Sequence, residues 1–256
     1  MFADPDFFKA KTVAITGAGS GIGAAAARLF CQHGAHVILS DVDAAAGEAL
    51  ARALRDAGQK ADFVKVDVTK RAELAAMVAF CREKTGRLDV LFNSAGSALK
   101  RCTYLEADDA LMDTSVALNF YGTHYAIQEA LPLMIESGGG TILNMASMAH
   151  KRGGPGTSIH YAAMKGAIVT LSLGIAREFA DRGIRCIPIA PAAVDTAFQA
   201  NSGTSAEMVA RLTQDIPLKR FATAEELARL AVFLASDACS FMTADPVYVS
   251  GGGGYR

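Results

Sequence analysis

A β-branched run, Lys11 to Thr16 (KTVAIT), stops at the cluster Thr16-Gly17-Ala18-Gly19-Ser20-Gly21-Ile22-Gly23, and AAAARLFCQHG continues as a helix ending at Gly34. Strand, glycine turn and helix in that order restrict the chain more than any other feature. Such a turn lets backbone amides approach a pyrophosphate and points a helix N-terminus at its charge. Gly17, Gly21 and Gly23, with Ser20 and Ile22 between them, are spaced G-x-x-x-G-x-G rather than the G-x-G-x-x-G of the standard dinucleotide fingerprint. A glycine turn can also be purely architectural, so its meaning depends on the rest of the chain.

Downstream of Gly34 the pattern alternates. Ala35 to Ser40 (AHVILS) reads as a second strand and Ala61 to Val68 (ADFVKVDV) as a third, ending at Asp67-Val68. Leu88 to Phe92 (LDVLF) is a fourth, running into Asn93-Ser94-Ala95-Gly96, and Thr141 to Asn144 (TILN) a fifth, leading into Met145-Ala146-Ser147-Met148. Ile184 to Ala190 (IRCIPIA) is a sixth, and a last strand near Pro246 to Val249 precedes four glycines. Helices fit Ala44 to Ala57, about Lys70 to Lys84, Asp108 to Glu136 with Asn119 inside it, and Ser158 to Ala180. Thr204-Ser-Ala-Glu207 and Thr223-Ala-Glu-Glu226 match the capping-box pattern and predict two more helix starts. Strands and helices joined by short connections imply an α/β fold: a single Rossmann-type domain over 1–256, with a doubly wound parallel sheet of about seven strands and helices on both faces. With 256 residues, 51% of them apolar, the chain can bury one full core. Ligands of such sheets sit outside the carboxyl ends of the strands.

Asp41 stands at one of those ends, about 20 residues after the glycines, where a ribose-binding acid belongs. A carboxylate there accepts from both adenosine ribose hydroxyls and repels a 2′-phosphate. No Lys or Arg occurs at positions 18 to 22 or 40 to 43 to bind such a phosphate, which favours NAD over NADP. Asp41 or Asp43 can alternatively cap the next helix, and Asp43 is the better placed for that task.

The chemical centre is expected in Ser158 to Ala180, with Ser158 as N-cap and Gly183 past the end. Tyr161 and Lys165 are four residues apart and so share one helical face. An ammonium beside a phenol favours the phenolate; lowering the phenol pKa by roughly three units takes about 4 kcal/mol and gives a base usable near neutral pH. A surface Tyr beside a solvated Lys has the same spacing, so the pair needs supporting residues.

Net charge is −1 and the basic residues are scattered, which argues against nucleic acid as a partner. No apolar run approaches the roughly 20 residues of a membrane span, and Met1 to Lys9 is acidic rather than signal-like. A soluble, cytoplasmic protein without a membrane partner is expected. Cys31, Cys81, Cys102, Cys186 and Cys239 are odd in number and widely spaced, which suits reduced, mostly structural thiols. The five His show no metal-ligand spacing, so no metal site is expected.

Taken in order, the glycine turn at 16 to 23, Asp41, Asp67, Asn93-Ser94-Ala95-Gly96, Asn119, Ser147, Tyr161 with Lys165, Pro191 with Thr196, and IPLKRFATAEELARLAVFLASD resemble the short-chain dehydrogenase/reductase family over essentially the whole chain. The resemblance implies hydride transfer between a secondary alcohol or ketone and the nicotinamide of NAD. Tyr161 is then general base in oxidation and acid in reduction, and Lys165 lowers its pKa and binds the nicotinamide ribose. Ser147 hydrogen-bonds the substrate oxygen, and Asn119 holds a water that joins Lys165 to solvent. Val194 through its backbone and Thr196 through its hydroxyl position the carboxamide. Gly17, Ser20, Gly21, Ile22, Gly23, Asp41, Asp67, Val68, Asn93, Ala95, Gly96, Tyr161, Lys165, Pro191, Val194 and Thr196 are its cofactor-binding positions. The resemblance also implies a homotetramer, with the 108 to 136 and 158 to 180 helices and the C-terminal strand in the interfaces.

Three departures from the family pattern stand out: Ser94, Ala192 and Ser250. Ala192 replaces a frequent Gly and is expected to strain the cofactor loop if positive φ is needed there. A substrate loop is expected at about 192–218, with Met148, His150, Phe198, Met208 and Leu212 among the pocket walls. Two other readings remain: a non-catalytic dinucleotide-binding scaffold, and an NADPH-dependent 3-oxoacyl-thioester reductase.

Overall fold

A computed structural model describes residues 7–154 and 157–253; residues 1–6 of the acidic start and Gly254 of the final glycine run lie outside the described residues. In chain order the elements are β1 (Thr12–Thr16), α1 (Gly21–Gln32), β2 (His36–Asp41), α2 (Ala44–Asp56), β3 (Ala61–Lys65), α3 (Arg71–Thr85), β4 (Val90–Asn93) and α4 (Asp109–Val116). A π-helical turn (Ala117–Tyr121) joins α4 to α5 (Gly122–Glu136); then come β5 (Gly140–Met145), α6 (Ala149–Arg152), α7 (Ile159–Glu178), β6 (Ile184–Pro191) and β7 (Val194–Asp195). The chain closes with α8 (Ala197–Asn201), α9 (Ala206–Asp215), β8 (Ala222–Thr223), α10 (Ala224–Ala235) and β9 (Val247–Val249).

Seven strands form one parallel sheet in the order β3-β2-β1-β4-β5-β6-β9. The chain winds outwards from β1 to β3, then returns past β1 and winds the other way from β4. The carboxyl ends of β1 and β4 therefore flank the point where direction reverses, which is where such sheets open a crevice for ligands. β1 is buried along its whole length and feeds two cores. Val13 and Ile15 face the core under α1, α2 and α10, while Ala14 faces the core under α3, α5 and α7, as the two-residue period of a strand requires. β7 and β8 pair separately, Val194 opposite Ala222, and fix the segment after β6 against the start of α10.

Several boundaries differ from expectation. β3 stops at Lys65 rather than Val68, because the Asp67 N–H turns away from the ladder to donate to Glu73 Oε2 at 2.7 Å. This frees Asp67 and Val68 to face the crevice. The 108–136 segment is helical but interrupted at Asn119 by the π turn. Ser158 occupies the N-cap of α7 at φ −167° and ψ 54° with no side-chain cap bond; its carbonyl engages the helix through Ala162 N–H. The cap of α9 is Ser205, which accepts from Met208 N–H at 3.2 Å, and not Thr204. At α10 the capping box forms as expected: Thr223 Oγ1 accepts from Glu226 N–H, and Glu226 Oε2 accepts from Thr223 N–H.

One expectation is corrected outright. α7, at 20 residues and a mean hydropathy of 1.3, is long and apolar enough by length and composition to cross a bilayer. Here it packs against β5, β6, α6 and the π turn and carries a buried lysine, with 33% of that span buried.

Candidate active site

Among the sequence-selected catalytic and cofactor-binding positions, all but Gly23, Asn93 and Asn119 line one cleft of about 650 Å³ at the carboxyl edge of the sheet. Those three lie behind its wall. Gly23, in the first turn of α1, lies so close to the glycine turn that a Cβ there would meet Gly17 O at 2.2 Å. Gly17 has φ +67°, and its Cβ would stand 2.8 Å from the Ala95 backbone, so only glycine lets the two loops touch. α1 begins with an uncapped Ser20 side chain and no acid in its first turn, leaving a positive helix end turned to the cleft.

Asp41 closes this half. Its Oδ2 accepts from Gly19 N–H at 2.8 Å and its Oδ1 from Asp43 N–H at 2.9 Å, which fixes the carboxylate beside the glycine turn. Asp43 caps α2 through Ala46 N–H, the task for which it is the better placed of the two acids. Asp67 accepts from Thr69 N–H and Oγ1; the hydroxyl bond, assisted by Lys70 at 3.6 Å, holds its carboxyl below the usual range. Asn93 donates to Asn144 Oδ1 at 2.8 Å, and Asn144 donates to Ser172 Oγ at 2.9 Å on α7. A buried polar chain thus ties the end of β4 to the helix that carries Tyr161 and Lys165.

Lys165, 3% exposed, donates to Met145 O at 2.7 Å, and its Nζ lies 5.5 Å from the Tyr161 ring centroid. A Cβ on Gly96 would come within 3.2 Å of Nζ and 3.0 Å of Asn119 Oδ1, so this position too has to be small. Asn119 is fully buried: Oδ1 accepts from Ser97 N–H at 3.1 Å, while Nδ2 donates to Ser97 O at 2.9 Å and Ser115 O at 3.2 Å. Tyr161 hydrogen-bonds Ser147, whose Oγ also accepts from Ala149 N–H at 3.1 Å.

Burial dominates the electrostatics of this pair. Burial pushes the Tyr161 phenol up to about 12, opposed by its bond to Ser147 and by the charge of Arg101, while burial pulls Lys165 down to about 8. Burial thus outweighs the groups that favour the phenolate. The Lys165 ammonium donates to Met145 O, and both side chains share the same loss of water.

The family model described as "Enoyl-(Acyl carrier protein) reductase" matches residues 17–253. The chain is 37% identical over 248 residues to 2-(S)-hydroxypropyl-CoM dehydrogenase 3 of Xanthobacter autotrophicus, covering 95% of this chain and 96% of the relative. It is also 37% identical over 245 residues to cis-4-hydroxycyclohexanecarboxylate dehydrogenase of Sinomonas cyclohexanicum, covering 96% and 97%. The structure of 7 alpha-hydroxysteroid dehydrogenase complexed with NADH and 7-oxo glycochenodeoxycholic acid superposes with a TM-score of 0.91 at 30% identity, covering 100% and 99%.

The chain belongs to the short-chain dehydrogenase/reductase family. It is an oxidoreductase acting on CH–OH donors, and its cleft suits a nicotinamide dinucleotide. The fit rests on the turn that a Cβ at Gly17 or Gly23 would fill, the open helix N-terminus and the carboxylate of Asp41.

Among the departures from the usual short-chain dehydrogenase pattern, Ala192 causes no strain. It is not among the described non-glycine residues with positive φ, and its N–H donates to Val249 O at 3.0 Å. Ser94 keeps its backbone bond to Thr16 O, and Ser250 O accepts from Gly253 N–H. Met148, Phe198, Met208 and Leu212 line the cleft as expected, but His150 does not. Its ring stacks on Tyr248, with centroids 5.9 Å apart, and is held by Ser147 O. Sequence reasoning missed Arg101, whose half-buried guanidinium lines the cleft near Tyr161. No local spacing marks it among the chain's 25 Lys and Arg.

Proposed function

We propose that this short-chain dehydrogenase prefers NAD(H) and interconverts a secondary alcohol and a ketone with Tyr161 as general acid and base. The observation that carries the cofactor choice is Asp41. Its carboxylate is clamped at the ribose end by Gly19 and Asp43, and no Lys or Arg lines the cleft beside it to attract a 2′-phosphate among the described residues. This disfavours the reading as an NADPH-dependent 3-oxoacyl-thioester reductase. The presence of Asn119, Ser147, Tyr161 and Lys165 disfavours a non-catalytic scaffold, which has no need of them.

The dinucleotide would supply the hydride acceptor or donor and, when oxidised, a positive charge in the cleft. The chain's own residues do the rest. Ser147 donates to the substrate oxygen and stabilises charge developing there. Tyr161 takes the alcohol proton in oxidation and returns it in reduction. Lys165 stays charged at neutral pH, since burial brings it only to about 8, and it faces the nicotinamide ribose from α7. Asn119 spends its side chain on Ser97 and Ser115, so a water it holds for Lys165 is held through its main chain. Gly17, Ser20, Gly21, Ile22 and Gly23 take the pyrophosphate at the turn, Asp67 and Val68 flank the adenine, and Ala95 and Gly96 form the facing loop. Pro191, Val194 and Thr196 position the carboxamide, and the loop at 192–218 covers the substrate. Titration of the purified protein with NADH and with NADPH, read by nicotinamide fluorescence, tests the reading. Tighter NADH binding supports it, and tighter NADPH binding overturns the role of Asp41.

A cytoplasmic homotetramer, with neither nucleic acid nor membrane as partner, is part of the same proposal. Its support is the set of free, buried cysteines and the exposure of Tyr121, Leu173 and Phe241 on or near the segments expected to form interfaces. Light scattering should return the mass of four chains; the mass of one would refute the assembly.

A further inference from the structure

The cleft is divided electrically. Its acidic lining residues, Asp41 and Asp67, stand at the adenosine end. Arg101, Arg152 and Arg211 line the other part, where no Asp or Glu lines it among the described residues.

Arg101 is the best anchored of the three. The loop that carries it, after β4, is pinned by the buried Asn119 at Ser97, by the buried His160 ring nitrogen at Ala98 O (2.9 Å), and by Cys102 N–H donating to Thr157 O (2.9 Å). From that base the guanidinium crosses to the opposite wall, where Nε donates to Thr204 Oγ1 at 2.7 Å and Nη2 to Gln199 Oε1 at 3.3 Å. Both acceptors are neutral, and no carboxylate lies within ion-pair distance among the described residues. A half-buried cation with neutral partners has lost water without gaining a counter-charge, and burial accordingly draws its pKa below the ordinary value. A guanidinium has five N–H donors in a rigid fork suited to an oxyanion, and these partners use two.

We propose that Arg101 sets the substrate class of this dehydrogenase by binding an oxyanion, a carboxylate or sulfonate, carried on the alcohol or ketone, with Gln199 and Thr204 holding the fork in place. The proposal rests on the dehydrogenase reading of the cleft. Two other roles for Arg101 make different predictions: a latch between loop and wall serves charged and neutral ligands alike, and a contact to the dinucleotide phosphates acts on NADH affinity.

The test uses unreactive probes, so it does not depend on turnover. The protein saturated with NADH is titrated calorimetrically with cyclohexanecarboxylate, cyclohexanesulfonate and cyclohexanecarboxamide. Both the stronger anion and the amide are then measured on Arg101→Met and Arg101→Lys. The expected result is that at least one anion binds about tenfold or more tightly than the amide. Arg101→Met should erase that advantage, Arg101→Lys should restore part of it, and NADH affinity should be unchanged in both. The stronger of the two anions identifies the headgroup. Equal binding of anions and amide, no measurable anion binding, an anion advantage that survives Arg101→Met, or a parallel loss of the anion and the amide in that variant each overturns the proposal. Should Arg101→Met fail to fold, the wild-type comparison with Arg101→Lys decides. Anion preference without turnover of any secondary alcohol would sink the dehydrogenase reading, and with it the substrate-class assignment, leaving only an anion site at Arg101; turnover of neutral alcohols without anion preference would sink this proposal and leave the dehydrogenase reading standing.

Discussion

The two halves of the cleft are built on different plans. The adenosine half is walled by main chain: Gly17 pressed on Ala95, Gly23 on Gly17, an open helix end, and a carboxylate held by two backbone N–H groups. The substrate half is walled by side chains from separate segments: Arg101 after β4, Ser147 after β5, Tyr161 on α7, and Phe198, Met208 and Leu212 beyond β6. A wall of main chain demands small residues at fixed spacing, because any Cβ blocks the approach. A wall of side chains demands only that the fold bring its members together. The first plan serves a ligand of constant shape, and the second can be altered one residue at a time.

The strongest way to break this comparison is to remove the chemistry at the boundary and ask whether the other half notices. Tyr161→Phe keeps the ring, whose centroid lies 5.7 Å from that of Phe198, and deletes only the hydroxyl bonded to Ser147. Turnover should fall by roughly 10²- to 10⁴-fold, the usual worth of a positioned acid or base, with NADH affinity unchanged. Stopped-flow rates and a fluorescence titration on one preparation check both halves of the statement. A variant that turns over normally defeats the catalytic assignment, and one that loses NADH binding shows that the halves are not separate.

The same division decides what could be read from the sequence. The glycine turn, the order of strands, the capping of α2 by Asp43, and the capping box at Thr223 and Glu226 are all local patterns, and the structure places them as their spacing implied. The misplaced features depend on partners outside the local pattern or on a choice between equivalent acceptors. β3 ends early because the Glu73 carboxylate captures Asp67 N–H, and no strand pattern encodes that. Ser205 rather than Thr204 caps α9, and the Thr204 hydroxyl meets Arg101, 103 residues away. His150 lies three residues beyond Ser147 but turns to Tyr248. Arg101 itself is legible only once Thr204, Gln199 and Tyr161 have been brought around it.

Lys165 sits where the halves meet and gives a smaller but sharper test. Burial lowers its pKa from 10.5 to about 8. Below about pH 8 the folded and unfolded chains both hold this proton, and the cost of burying the ammonium is felt in full. Between about 8 and 10.5 the unfolded chain still binds a proton that the folded one has released, so stability rises with pH across that window. The gap between the two values corresponds to roughly 3 kcal/mol. Lys165→Met keeps most of the length of the side chain and removes the titration. In cofactor-free urea unfolding, wild type should gain on the variant by most of that amount between about pH 8 and 10, with the difference flat below 8. The raised phenol pKa of Tyr161 adds its own pH dependence only above about 10, its ordinary value, so it leaves this window clear. A difference that stays flat throughout would mean that water reaches the ammonium through the open cleft. The boundary between the halves would then be solvated rather than dry, and the phenol beside it would lose its reason for a raised pKa as well.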